Sequence, residues 1–359
     1  MNPPRIAVTG LFRGDNPQPG SPIISSIRRA WPEAFIVGLV YDVYESGIYA
    51  PDGPDVCYAM PYPTAGPTLY LRRLEEVRAR TPFDLFLPSL DAEIVMLAGQ
   101  LAALGAMGLR CALPEPALLA RCSKAKLAEL AAACEVPVPQ TAVARDLKEA
   151  VQQAQALGYP LFVKGQFYDA IQVESRPAMV AAATNILADW GPPVLLQEPL
   201  RGPEFNVLGI GDGQGGLLGH CAVRKMLVSE KGKGNGSVIV RDPRLDEITR
   251  RLIAETRWLG PFELEFLRSQ ADDAYHLIEI NPRFPAWVDF PAQLGANFAA
   301  AWVRWLAGAP PRPVPDLTPG MFFIRHQVEV CGDMARLSSL LDHPSWDAQP
   351  PARSPSIPS

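Results

Sequence analysis

His276-Leu277-Ile278-Glu279-Ile280-Asn281-Pro282-Arg283 places a carboxylate, a carboxamide and a guanidinium at alternate positions of an apolar run. In a strand, residues i, i+2 and i+4 project from one face, so Glu279, Asn281 and Arg283 point the same way. Leu277, Ile278 and Ile280 mark the strand as mostly buried, and a buried carboxylate beside a guanidinium is costly unless both have partners. Two hard oxygen ligands next to a phosphate clamp suit a Mg-nucleotide complex. For these three residues in isolation, a structural Glu to Arg pair on a strand edge fits equally well.

Upstream segments shift that balance. Phe262-Glu263-Leu264-Glu265-Phe266 alternates apolar and acidic residues, so Glu263 and Glu265 share a face. Antiparallel pairing with the strand of Glu279, through a turn at Asp272-Asp273, brings a second carboxylate to the same cation. Lys164 ends the apolar strand Tyr159-Pro160-Leu161-Phe162-Val163-Lys164, where an ammonium needs an anion; a phosphate is the natural partner, and a snorkelling strand-end lysine is the alternative. Gln197-Glu198-Pro199-Leu200-Arg201-Gly202-Pro203-Glu204 leaves one strand, turns and enters another. Such a segment can offer backbone N–H and C=O groups to an adenine edge and a following carboxylate to ribose hydroxyls.

The 359 residues exceed one core, so two or three subdomains are expected. A net charge of −5 gives no basic field for a nucleic-acid backbone. No apolar run reaches the roughly 18 residues of a membrane helix, and the N-terminus enters a strand without a signal-peptide core. A cytoplasmic protein is expected. The six cysteines show no C-x-x-C spacing and are read as reduced apolar residues; four histidines argue against a His-based metal centre.

The pattern divides the chain into α/β and α+β parts. Residues 1–115 alternate strands (5–9, 34–41, 84–88) with helices (22–30, 69–80), a parallel, Rossmann-like rhythm. The Gly-rich loop after the first strand is not G-x-G-x-x-G and claims no dinucleotide. Leu118 to Cys134 has helical periodicity. Within 116–309, a compact lid at about 137–203 is expected to carry a helix at 147–157 and strands at 161–164, 171–174 and 194–198. A strand-helix extension (strand 321–330, helix 333–341) fills 310–343, and Pro, Ser and Ala make 344–359 a disordered tail.

This ordered set resembles the ATP-grasp superfamily, most closely the branch related to the carbamoyl phosphate synthetase large subunit and to carboxylate-amine ligases acting on amino acids and peptides. The resemblance covers roughly residues 5–307, and it is specific because several motifs occur in order. It implies a pre-ATP-grasp domain followed by a two-lobed ATP-grasp fold that binds ATP with one or two Mg2+, Mn2+ being a substitute. Residue by residue, Lys124 matches the first phosphate lysine, with Lys126 competing, and Lys164 matches the second. Glu198 and Leu200 match the adenine hinge and Glu204 the ribose carboxylate. Glu265 and Glu279 match the Mg-binding acids, Asn281 the Mg-binding amide, and Arg283 the arginine at the γ and acyl phosphates. Arg224 resembles the basic residue facing the transferred phosphate or the substrate carboxylate.

The chain departs from the superfamily where a Gly-rich lid loop usually follows the second lysine: here stands Gly165-Gln166-Phe167-Tyr168-Asp169-Ala170. The segment 230–237 offers other flexible backbone, or a solvated hairpin. Asp91 and Glu93 follow a strand end, where open α/β sheets bind ligands; they suit recognition of an amine, while helix capping by Asp91 is the plainer role. His220, His276 and His326 are expected to be structural, and Trp287 to Gln293 to shape the acceptor pocket.

The resemblance implies an ADP-forming carboxylate-amine ligase that works through an acyl phosphate on a small-molecule or peptide carboxylate and an amine, and it is consistent with a homodimer. A bicarbonate-activating, carboxylase-like enzyme and a catalytically degenerate ATP-binding partner protein are the alternatives.

Overall fold

The computed structural model describes residues 2–12, 17–165, 170–228, 234–310, 312–326, 328–334, 337–338 and 347–348. Arg5–Thr9 (β1), Gly20–Ala30 (α1), Phe35–Val40 (β2), Val56–Ala59 (β3), Pro67–Arg80 (α2) and Leu85–Leu87 (β4) open the chain. β1 pairs in parallel with β2 and β4, and β2 with β3, giving the order β3-β2-β1-β4. Helices cover both faces of such a sheet, which is why these strands are short unbroken apolar runs. Gly20 lets α1 start hard against the end of β1: a Cβ there would lie 1.9 Å from the Thr9 carbonyl oxygen. Asp91–Leu97 (α3) and Leu101–Ala106 (α4) follow; β3 and α4 have no counterpart in the sequence reading, which offers α3 only as a helix capped by Asp91.

The periodic stretch 118–134, expected as one helix, is two: Pro116–Arg121 (α5) and Leu127–Ala133 (α6). Ser123 Oγ donates to the Ala120 carbonyl at 2.8 Å and the Lys126 N–H donates to the Ser123 carbonyl at 2.8 Å. A serine that bonds its own backbone competes with the helix, and the resulting turn carries Lys124.

Thr141–Ala144 (β5), Leu147–Leu157 (α7), Leu161–Lys164 (β6), Ala170–Val173 (β7), Arg176–Trp190 (α8) and Val194–Gln197 (β8) form a small antiparallel sheet of order β5-β8-β6-β7. Its two helices close a separate core around Ala150, Leu161, Val163, Met179, Ile186 and Leu196.

Glu204–Asp212 (β9), Leu217–Val228 (β10), Gly234–Val240 (β11), Pro243–Thr256 (α9), Leu259–Arg268 (β12), Tyr275–Asn281 (β13), Asp289–Gln293 (α10), Phe298–Leu306 (α11) and Phe322–Ile324 (β14) make the largest layer. The sheet order is β13-β12-β9-β10-β11-β14, antiparallel at every pairing. One face packs Phe205, Val207, Phe262, Leu264 and Phe266 against α6 and α9. From the other, Leu208, Ile210 and Cys221 join Ile23 and Ile27 of α1 and Trp302 and Val303 of α11 in a core shared with the parallel sheet.

The strand expected over 321–330 is only the three residues of β14, and the helix expected at 333–341 lies largely outside the described residues. In the tail, expected to be disordered throughout, Asp347–Ala348 (β15) pairs antiparallel with β3; the rest of it lies outside the described residues. No described helix is long and apolar enough to cross a membrane.

Candidate active site

Strand register assembles the site. Glu263 lies opposite Asn281 and Glu265 opposite Glu279, while on the other side Glu265 faces Asn206. Directly opposed residues share a face, so Glu263, Glu265, Glu279 and Asn281 form one polar patch backed by the apolar face behind them. Asn281 Nδ2 donates to Glu265 Oε1 at 3.1 Å and to Glu263 Oε2 at 3.3 Å. Like charges this close survive because cations face them: Lys124 Nζ lies 3.4 Å from Glu279 Oε1, and Lys225 Nζ lies 2.7 Å from Glu204 and 3.3 Å from Glu265. Lys126 is exposed at the start of α6, so of the two competing lysines Lys124 is the one at the acids.

Lys225, not Arg224, faces this patch. Arg224 lies opposite Phe205 and Val238 and is exposed on the reverse face; alternation along β10 turns its neighbour inward. Burial works to lower the Lys225 pKa, but Glu265 and Glu204 outweigh it and hold the ammonium above its ordinary value. Lys164 ends β6 of the small sheet with Nζ donating to Gln197 Oε1 at 2.5 Å. Burial, and then the charge of Lys124, bring its pKa down to about 8 against the pull of Glu279, Glu265 and Glu204. Lys164 thus belongs electrically to the same cluster.

The Glu198 carboxylate accepts the Gln140 N–H at 2.7 Å, and its own N–H donates to the Gln140 carbonyl at 3.0 Å. With Leu200 half-buried beside it, this segment links the two sheets and leads to Gly202, where a Cβ would lie 1.9 Å from the Arg268 carbonyl. Residues 166–169 and 229–233 lie outside the described residues, and with them most of the loop at 165–170 and half of the segment 230–237, whose remainder opens β11.

Arg283 reaches the parallel domain: Nε donates to Asp91 at 3.1 and 3.2 Å, and Nη1 lies 3.9 Å from Glu263. Burial opposes its charge, yet Asp91 and Glu263 raise its pKa further. Asp91 therefore spends its carboxylate on Arg283. Capping at the start of α3 falls to Glu93, which accepts the Ser89 and Leu90 N–H groups at 3.0 Å each.

Sequence reasoning assigned no role to Glu263 or Asn206, which lie within this patch. Glu263 Oε1 accepts Asn206 Nδ2 at 2.6 Å and Trp287 Nε1 at 2.9 Å; its pKa is raised by burial and by the charge of Glu265. It was visible as the alternate partner of Glu265. Arg325, carried next to β14, had no sequence signal; burial lowers its pKa and Glu263 acts against that. His220 and His276 pair with Asp246 and Asp272.

The oxygen set fits Mg2+: two carboxylates and a carboxamide are hard ligands, and Mg2+ takes few protein groups, completing its shell with water and phosphate oxygens. Among the described residues no group of three or more His, Cys, Asp or Glu side chains is arranged to hold a metal ion by itself.

No known protein-family signature matches the chain. It is similar in structure to the biotin carboxylase domain of Hydrogenobacter thermophilus 2-oxoglutarate carboxylase, a dimer in complex with MgADP, ADP and bicarbonate (16% identity, 86% of this chain and 70% of that one, TM-score 0.64). It is also similar to an L-amino acid ligase from Bacillus licheniformis (16%, 85% and 75%, 0.62). A third likeness is N5-carboxyaminoimidazole synthase from Aspergillus clavatus, in complex with ADP and 5-aminoimidazole ribonucleotide (17%, 87% and 79%, 0.62). Together with the order of the sheets, these likenesses show that the chain has the ATP-grasp fold.

Proposed function

We propose that the protein is an ATP- and Mg2+-dependent carboxylate-amine ligase that forms ADP. The observation that carries this reading is the convergence of Glu265, Glu279 and Asn281 on one sheet face, with Lys124 and Lys164 brought to them from two other elements. In this reading the triphosphate lies along the two lysines, adenine meets the backbone of Glu198 to Leu200, and the ribose meets Glu204. Glu265, Glu279 and Asn281 would hold Mg2+, which would supply charge neutralisation at the transferred phosphate.

A carboxylate is a poor electrophile because its leaving group would be oxide. Its oxygen attacks the γ-phosphorus, the bond to the β-phosphate oxygen breaks, and ADP leaves. The amine then attacks the acyl carbon, phosphate departs with the former carboxylate oxygen, and the nitrogen loses a proton. Positioning and cations carry such chemistry. Arg283, fixed by Asp91, serves both phosphoryl groups as a donor, and Lys225 takes the role that the family resemblance implied for Arg224. No nucleophilic Ser, Cys or His is required.

The test supplies Mg-ATP, hydroxylamine and a panel of acids labelled with 18O in the carboxylate. Acid-dependent ADP release with one 18O in the phosphate supports the acyl phosphate. Acid-dependent ADP release with unlabelled phosphate contradicts it.

A further inference from the structure

Resting on the ligase reading, we propose that the acid this site activates carries an apolar body of aromatic or branched-aliphatic size, seated against Trp287 and Phe323 with its carboxylate toward Arg325 and Arg283. Four observations place that subsite on the acceptor side of Glu263. The Trp287 indole N–H is tied to Glu263 at 2.9 Å, which fixes the ring while leaving it partly exposed. Phe323 lies opposite Ser237 on β11, which in turn lies opposite Lys225. Phe323 therefore projects from the site face, its ring 5.0 Å from Phe290. Trp287, Phe290 and Phe323 belong to one apolar cluster over Val223 and Ile239. Arg325, two residues beyond Phe323 and joined to β11 by its N–H on the Asn235 carbonyl at 2.7 Å, lies 5.8 Å from the Phe323 ring centre.

Arg325 forms no ion pair among the described residues, and Glu263 is the acid whose charge it feels. Glu263, however, is saturated by Asn206 and Trp287 on one oxygen and faces Asn281 and Arg283 with the other. A half-buried guanidinium beside half-buried aromatic rings is matched by a carboxylate attached to an apolar group. Bicarbonate satisfies the charge and leaves the rings untouched. Nothing among the interactions described supplies a second anchor for a polar or acidic side chain at Trp287 and Phe323.

Initial rates of ADP release with saturating Mg-ATP and hydroxylamine are compared for acetate, glycine, leucine, phenylalanine, 3-phenylpropionate and bicarbonate. Acids bearing isobutyl or phenyl groups are expected to exceed acetate in kcat/KM by about 100-fold. Trp287→Ala and Phe323→Ala should each erase about tenfold of that preference, read as the ratio of kcat/KM for the phenyl-bearing acids to that for acetate. Trp287→Phe, which keeps a ring and the fold but drops the indole N–H, should retain most of it. Bicarbonate or acetate as the best substrate, with no selective effect of Trp287→Ala, overturns this substrate class and leaves the ligase reading standing. Bound ATP with no acid-dependent ADP release for any member overturns the ligase reading and this inference with it.

Discussion

Two regions of the molecule bury carboxylates, and they treat them oppositely. At the C-terminal edge of the parallel sheet, Glu93 accepts from Thr9 Oγ1 at 2.6 Å, from the Ser89 and Leu90 N–H groups and from the Tyr41 hydroxyl, while Glu45 accepts the N–H groups of Leu11, Tyr41 and Asp42. These partners are neutral; burial raises the Glu93 pKa and carries that of Glu45 up to about 7. On the large sheet, Glu265 and Glu279 are half-buried and face lysines. Acids saturated by neutral donors hold a fold together; half-buried acids paired with lysines keep oxygen capacity for a ligand.

The comparison breaks first at Glu93. Glu93→Ala removes a shared acceptor of two backbone N–H groups and two hydroxyls in the core, leaving the Leu90 N–H without one, and should cost about 3–5 kcal/mol of unfolding free energy, read by denaturant titration, with ATP affinity of the folded fraction unchanged. A stable variant that has lost nucleotide binding would instead place function at the parallel sheet.

A smaller effect separates the two faces of β10. Lys225→Met should lower kcat/KM by about 30- to 100-fold, by removing a charge made for phosphate or carboxylate, whereas Arg224→Met should stay within about twofold. Equal losses would mean that strand alternation does not decide which base serves the site.

The smallest effect is in pH. The Lys164 ammonium attracts phosphate only while protonated, so with a free-state pKa of about 8, ATP affinity should fall by about tenfold at most as pH rises from 7 to 9. Lys164→Arg, charged throughout that range, should flatten the profile. A wild-type profile flat from pH 7 to 9 contradicts the lysine's place at the phosphates.

The site face was legible because strand periodicity is local: Glu279, Asn281 and Arg283 at i, i+2 and i+4, and Glu265 on a partner strand, need only a turn to meet. Lys225 was missed by one residue, since the sequence around Ala222 to Lys225 does not fix the phase of alternation. Arg325 is brought in by β11–β14 pairings 84 to 88 residues apart, and Asp91 meets Arg283 across 192 residues, which no local pattern encodes. The break between α5 and α6 was hidden because apolar spacing continues across Ser123, and β14 came out shorter than its apolar run because only three residues find a partner on β11.

The most direct test is Glu279→Gln, which keeps the size and hydrogen-bonding reach of the side chain and removes one charge facing Lys124. Measured side by side with wild type, acid-dependent ADP formation should fall by about a thousandfold or more, while the thermal midpoint shifts by no more than about 2 °C. Wild-type turnover in that variant would contradict the assignment of this sheet face to phosphoryl transfer.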